Sequence, residues 1–306
     1  GDAWQAVYEK AEAGCYFCQY MIGNTYYYLD VIELENKRES QFEGEAEWDN
    51  WRREQMEKSI SWFEKAFEGG MGLAGRNLCD YYKKGRGCLI PSDPDKAMEV
   101  IQKGAAMGYP ECMYALATKL FFNPDKKDEG FFWARRAAQL GYILAWDIVG
   151  DGYCLGDVVE RNLPYALECY EKSVAYGDDA YAYGRAGEMY FLGLGVPQDY
   201  TKAVEYMEKA YAMRGEEDTD TAKLGVCCLL GYGCAQNVER GKKLLEQSDD
   251  IRYKSYGLGM MYAQGMGVPK DIAKGVEYLQ AAGDYEPAKK ELKHYKKGIF
   301  GTWKRI

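Results

Sequence analysis

The sequence predicts an all-α fold: a right-handed α-α superhelix of about seven helix-turn-helix repeats, closed by capping helices. Three observations predict it. Residues 182–210 (AYGRAGEMYFLGLGVPQDYTKAVEYMEKA) read as two amphipathic helices with a glycine turn between them. The same register recurs along the chain, which is the signature of a repeat array. A hairpin of this kind cannot bury its own apolar face, so neighbouring copies must stack into one continuous core.

Within the best copy each residue type has a physical task. Ala186, Gly187 and Tyr190 share a helical face, with a small residue where another backbone must come close. Gly193 and Gly195 end the first helix, because glycine enters the left-handed conformation of a C-cap cheaply. Pro197 forbids continuation, and Asp199 stands where the second helix needs an N-cap. Counted from Gly187, the register is Tyr at +3, Gly at +6 and +8, Val at +9, Asp at +12 and Lys-Ala at +15 and +22. It fits again on Gly150, Gly225 and Gly259 without insertion.

Taken in order, residues 1–14 are an N-terminal helix and 15–70 the first repeat, carrying a charged insertion at 30–57. Trp48, Trp51, Gln55, Ser59 and Trp62 follow helical spacing across that insertion and extend the second helix at its front. The remaining repeats span 71–108, 109–141, 142–178, 179–215, 216–250 and 251–283. The third loses its glycine turn to Asn123-Pro124-Asp125. The tail, 284–306, starts an eighth first helix, in which Leu292, Tyr295, Ile299 and Phe300 cover the last apolar face while lysines meet water.

Composition narrows the function. In 306 residues the net charge is −9, which argues against a nucleic-acid binder. Apolar runs are short, so no membrane span is expected. Of ten cysteines, Cys79, Cys88, Cys228 and Cys234 take core or turn positions of the register, and the set has no regular pairing interval, which suggests reduced thiols and a cytoplasmic protein. The opening Gly1-Asp2 reads as a cut boundary, leaving an upstream export signal as the alternative.

The string G-x-x-Y-x-x-G-x-G-V-x-x-D-x-x-K-A-x-x-x-x-x-K-A resembles the Sel-one-like repeat, a relative of the tetratricopeptide repeat. Gly187, Tyr190, Gly193, Gly195, Val196, Asp199, Lys202, Ala203, Lys209 and Ala210 carry it most completely. The resemblance implies an adaptor that holds other proteins together. A cysteine-rich, secreted branch of that family joins successive helices by a disulfide across eight positions and has been ascribed penicillin-binding activity. Here Cys112 faces Gly104 at that interval, so the pattern is broken.

Catalytic motifs are sparse. His294 is the single histidine and is expected in the capping helix among lysines. No serine is followed by lysine three residues on, and no phosphate-binding glycine loop occurs. Cys15-Tyr16-Phe17-Cys18 is a lone CxxC: a structural zinc site wants four ligands, and redox exchange would need a low-pKa thiolate at a helix N-terminus. The expectation is therefore no enzyme, no metal and no cofactor.

The partner is expected to be a protein segment, a peptide or helix with a basic stretch, lying in the groove lined by the first helices; the chain itself would be a monomer or weak homodimer. By analogy with tetratricopeptide arrays, offsets −6, −3, +1 and +4 from each register glycine face that groove. They select Phe17, Tyr20 and Asn24 in the first repeat, Arg76 and Asp80 in the second, and Tyr114 and Thr118 in the third. Asp147 and Asp151, Tyr181 and Glu188, and Tyr256 follow in the fourth, fifth and seventh. Exposed tyrosine and arginine dominate binding hot spots, and Asp147, Asp151 and Glu188 would favour lysine or arginine on the partner. The rival readings are self-assembly through the Trp-rich helix and a weak hydrolase activity like that of the cysteine-rich branch.

Overall fold

A computed structural model describes residues 2–35 (side chains 3–28), 44–85, 90–175, 179–215, 221–298 and 302–306. The helices are α1 (Asp2–Glu12), α2 (Tyr16–Glu35), α3 (Glu45–Glu68), α4 (Gly72–Lys84), α5 (Pro94–Ala106), α6 (Pro110–Phe121), α7 (Lys127–Gln139) and α8 (Ala145–Leu155). They continue with α9 (Leu163–Ala175), α10 (Ala180–Leu192), α11 (Tyr200–Arg214), α12 (Ala222–Leu230), α13 (Val238–Gln247), α14 (Ile251–Gln264), α15 (Ile272–Ala281) and α16 (Glu286–Leu292). The chain divides into two compact units, residues 1–149 and 150–306. In each, consecutive helices pack as hairpins, so the fold is an all-α array of helix-turn-helix repeats.

The register glycine admits the second helix of its own hairpin. A Cβ built on Gly187 would stand 2.9 Å from Met207 Cγ, and one on Gly259 would stand 2.7 Å from Leu279 Cγ. The same closeness operates in reverse at +16, where Gly241 abuts the Leu229 backbone nitrogen and Gly275 abuts Ala263. Small residues on both helices therefore set the crossing. The tyrosine at +3 and the lysine at +15 are a second matched pair. Lys96 Nζ lies 4.2 Å from the Tyr82 ring centroid, Lys202 4.9 Å from Tyr190, and Lys274 4.0 Å from Tyr262. The first two of these phenols also donate to a carboxylate: Tyr82 to Glu64 Oε1 at 3.0 Å and Tyr190 to Glu171 Oε1 at 2.8 Å.

The turns carry the stacking. Gly193 closes α10 in the left-handed conformation, and Asp199 then caps α11 by accepting from the Thr201 and Lys202 N–H groups. Asn237 and Asp271 cap α13 and α15 in the same way, through Arg240 and Lys274. The second turn glycine reaches the preceding hairpin. A Cβ on Gly195 would fall 2.6 Å from the Leu163 carbonyl carbon, and one on Gly233 would run into the carbonyl of Tyr200.

Both ends depart from the regular hairpin. At the N-terminus α3 is a single helix of 24 residues, with Trp48, Gln55, Ser59 and Trp62 buried. Trp48 stacks on Trp51 at 5.5 Å, and Ser59 Oγ donates to the Gly23 carbonyl at 2.8 Å. Residues 36–43 of the insertion lie outside the described residues, as does Cys88. At the C-terminus the expected capping helix stops at Leu292. Two short antiparallel strands follow, β1 (Tyr295–Lys297) and β2 (Trp303–Arg305), with Tyr295 opposite Arg305. The tail is thus corrected from helix to helix plus two paired strands, because Gly298 interrupts the helical pattern. Tyr295 still covers the core, from a strand, with its hydroxyl donating to Glu291 Oε1 at 2.8 Å. His294 lies in the turn before β1 rather than in a helix, and Ile299 and Phe300 fall outside the described residues.

The core of the second unit is one continuous cluster, running from Ala166 through Met189, Leu229 and Leu245 to Tyr295. Ala11, Cys18, Ile22 and Trp62 join α1 to the first hairpin in the other unit. Among the described residues no helix is long and apolar enough to cross a membrane.

Candidate partner-binding face

In the second unit a chain of charges runs across the first helices of successive hairpins. Asp151, on α8, is buried, and its two carboxylate oxygens accept the hydroxyls of Tyr170 and Tyr181, each at 2.7 Å. Arg185 Nε stands 3.6 Å from Asp151 Oδ1, at ion-pair distance. One Arg185 Nη donates to Glu188 Oε2 at 2.7 Å, and the other reaches Cys154 Sγ at 3.4 Å. Glu188 Oε1 then meets Lys223 Nζ at 3.2 Å, and that ammonium lies 4.8 Å from the Tyr253 ring centroid.

The network contains two carboxylates and two cations, so it is balanced in charge. Burial pushes the Tyr170 phenol far above its ordinary value, with the Asp151 charge adding to the effect, which makes Tyr170 a firm donor. Burial works against the charge on Arg185, but Tyr170, Tyr181 and Glu188 together offset it and the guanidinium ends above its ordinary value. The arrangement fixes side chains in place; it does not create a poised acid or base. Beside it Gly184, Glu188, Tyr211, Arg214, Thr221 and Lys223 line a small open cleft of about 20 Å³. Gly184 occupies a −3 position, and its missing side chain leaves the cleft open above Arg214.

The first unit has its own polar line. Arg76 donates to the Tyr142 hydroxyl at 2.8 Å, and the Tyr142 ring lies 5.0 Å from Tyr114, whose hydroxyl reaches Asp147 Oδ2 at 3.5 Å. Thr118 is exposed and bonds back to the Tyr114 carbonyl, while Asn24 accepts from Asn77 at 3.3 Å. Phe17 is 55% exposed, Tyr20 packs on Phe63, and Asp80 is exposed beside Tyr27, Tyr81 and Lys84.

Several expected groove residues are corrected by burial. Tyr256 is 5% exposed, stacked edge-on against Tyr285 at 5.1 Å, because the tail covers its position. Asp147 and Asp151 are likewise buried and do not stand as bare carboxylates; tyrosine hydroxyls turn them inward. The +4 offset itself fails at Phe121, Phe191 and Ala263, which are buried because +4 lies against the second helix. Arg185 and Lys223 were not selected by the offsets, since both stand at −2. A signal for Lys223 existed: it is the single charge in the apolar helix AKLGVCCLL. Tyr170 comes from a second helix, which the offsets did not sample.

Paired helices joined by glycine turns, repeated along the chain, define a helical repeat protein. A family model described as Sel1 repeat matches residues 52–71, 74–109, 110–142, 148–178, 180–214, 221–248 and 255–284. The chain belongs to the Sel1 repeat family, whose members generally act as protein-interaction scaffolds. Among solved structures it is similar to c5321, titled a protective antigen of uropathogenic Escherichia coli strains displaying an SLR fold. The identity is 23% and the TM-score 0.58, over 95% of this chain and 58% of that one. A Sel1 repeat protein from Oxalobacter formigenes is 22% identical with a TM-score of 0.53, covering 78% of this chain and 98% of its own length. These likenesses show the fold alone. No curated protein matches the chain.

Proposed function

We propose that the protein is a non-catalytic adaptor that holds a partner peptide or helix against the first helices of its hairpins. The observation that carries this reading is the face around Tyr181, Arg185, Glu188 and Lys223. There an exposed tyrosine, a preorganised ion network and an open cleft adjoin on α10 and α12. Side chains already held by Asp151 and Tyr170 lose little further freedom when a partner docks, which is how preorganisation raises affinity. The net charge of −9 steers basic segments toward the chain, and Glu188 is the carboxylate of the network that borders the cleft. We take the compartment to be cytoplasmic and the chain to be monomeric; core-placed thiols support the first, and burial of Trp48 and Trp62 weighs against a tryptophan-mediated dimer.

The test is affinity capture from lysate of the source organism, with wild type beside Glu188→Lys and, as a second-face control, Asp80→Lys. A protein held by wild type and lost by folded Glu188→Lys, with Asp80→Lys unaffected, is the expected result. A partner held equally by all three removes this face from consideration.

A further inference from the structure

Cys15 and Cys18 bracket the first turn of α2. Cys15 directly precedes the helix at Tyr16; its N–H donates to the Lys10 carbonyl and its own carbonyl accepts from Gln19, both at 3.0 Å. Its side chain therefore stands among the unsatisfied N–H groups of a helix start, the position at which a thiolate is best stabilised. Cys18 lies one turn further on, buried beside Ala11, Ile22 and Trp62. Spacing of i and i+3 on a helix brings Cβ atoms to about 5–6 Å, close enough that a modest swing of the capping residue satisfies a disulfide. One thiol is half-exposed and the other is buried beneath it.

The electrostatics agree with the geometry. Hydrogen bonds from the backbone N–H and the thiol of Cys18, with the N–H of Phe17 and the charge of Lys10, hold the Cys15 thiol below its ordinary value. The same thiol–thiol hydrogen bond raises Cys18. Elsewhere burial pushes Cys79 up and drives Cys112 and Cys169 to about 12, so those thiols are inert. Tyr16, Phe17 and Met21 are exposed around the pair and offer an apolar rim to whatever approaches it.

We propose that Cys15 and Cys18 form a thiol–disulfide exchange site, with Cys15 attacking and Cys18 resolving, whose substrate is an accessible disulfide. The Cys15 thiolate attacks one sulfur of the substrate; the substrate S–S bond breaks, one thiolate leaves, and a mixed disulfide forms on Cys15. Cys18 releases its proton to solvent and attacks Cys15 Sγ, forming the Cys15–Cys18 bond and expelling the second substrate thiolate. The protein gives up two electrons and two protons, and the substrate gains both as two thiols. The site therefore senses or reduces disulfides independently of the face on α10 and α12.

The experiment uses the reduced full chain with glutathione disulfide in one arm and insulin in the other, followed by acid quench, alkylation and peptide mass spectrometry. The expected result is loss of two hydrogens in the peptide spanning Cys15 and Cys18, with a persistent mixed disulfide on Cys15 in Cys18→Ser. Iodoacetamide near neutral pH labels Cys15 ahead of Cys154 and Cys234, the other half-buried thiols on the described chain. Oxidation by glutathione disulfide alone assigns a small-molecule disulfide; oxidation by insulin as well assigns protein disulfides. If Cys15 labels no faster than Cys154, or neither disulfide oxidises the pair, the proposal is overturned.

Discussion

Asp151 shows how one buried side chain can organise a surface. It is 4% exposed and accepts two tyrosine hydroxyls while facing Arg185, so its charge is compensated from three directions. Replacing one carboxylate oxygen by an amide nitrogen leaves one of the two tyrosine hydroxyls facing a donor and takes the Asp151 charge away from Arg185, and groups left unmatched in a buried setting cost more than the bonds they made. Asp151→Asn is expected to lower stability by about 2 kcal/mol and to loosen Arg185 from Glu188. Denaturant unfolding measures the first effect, and weaker capture of any partner that depends on Glu188 measures the second; an unchanged midpoint would refute the role. Asp151 was legible as a first-helix residue, but its burial was not. Sequence offsets select a side of a helix, whereas the tyrosine hydroxyl that turns Asp151 inward comes from α9, another element.

Among elements, the turn is the most constrained. Gly233 and Gly283 both have positive φ, +70° and +62°. They differ in space: a Cβ at Gly233 collides with the Tyr200 backbone, whereas at Gly283 it meets nothing within 4 Å. Alanine at Gly283 should therefore cost only left-handed strain, about 1–2 kcal/mol, while Gly233→Ala should cost clearly more because the preceding hairpin must shift. Thermal unfolding of the two variants side by side separates strain from stacking, and equal losses would show that the turn glycines serve conformation alone. The sequence revealed Gly233 as a turn former, at +8 of the register on Gly225. It did not reveal that the +8 glycine is also an inter-repeat contact, because that requires knowing which backbone lies opposite. The CxxC pair has the same character: its spacing was readable, but the capping position of Cys15 and the burial of Cys18 depend on where α1 and α3 pack.

At the scale of the whole molecule, 28 tyrosines make stability depend on alkaline pH. Burial, followed by the Glu171 carboxylate, pushes Tyr190 and Tyr206 up to about 12, and burial with Glu291 does the same for Tyr295. A phenol raised in the folded state favours folding in its neutral form. That contribution is complete below the ordinary value of 10.0 and is lost as pH climbs from 10 toward about 12. Phenolate absorbance and helical circular dichroism followed together from pH 9 upward, about one unit below the ordinary tyrosine value, should therefore show a fraction of tyrosines ionising only as the helices melt. Complete ionisation near 10 with the helices intact would contradict this reading.

The repeat register, the glycine turns, the capping Asp and Asn residues and the helical pairing were determined by the sequence alone, since each rests on local backbone chemistry repeated at fixed spacing. Tertiary structure alone decided which polar residues are available. Tyr256 and Asp147 were hidden and Arg185 and Lys223 recruited, because exposure on a helix depends on the neighbour it packs against. It also decided the end of the chain, where β2 pairs back on β1 and Tyr295 is seated over the core. Periodicity encodes the face of an element; only packing assigns that face to solvent, to a partner helix or to the core.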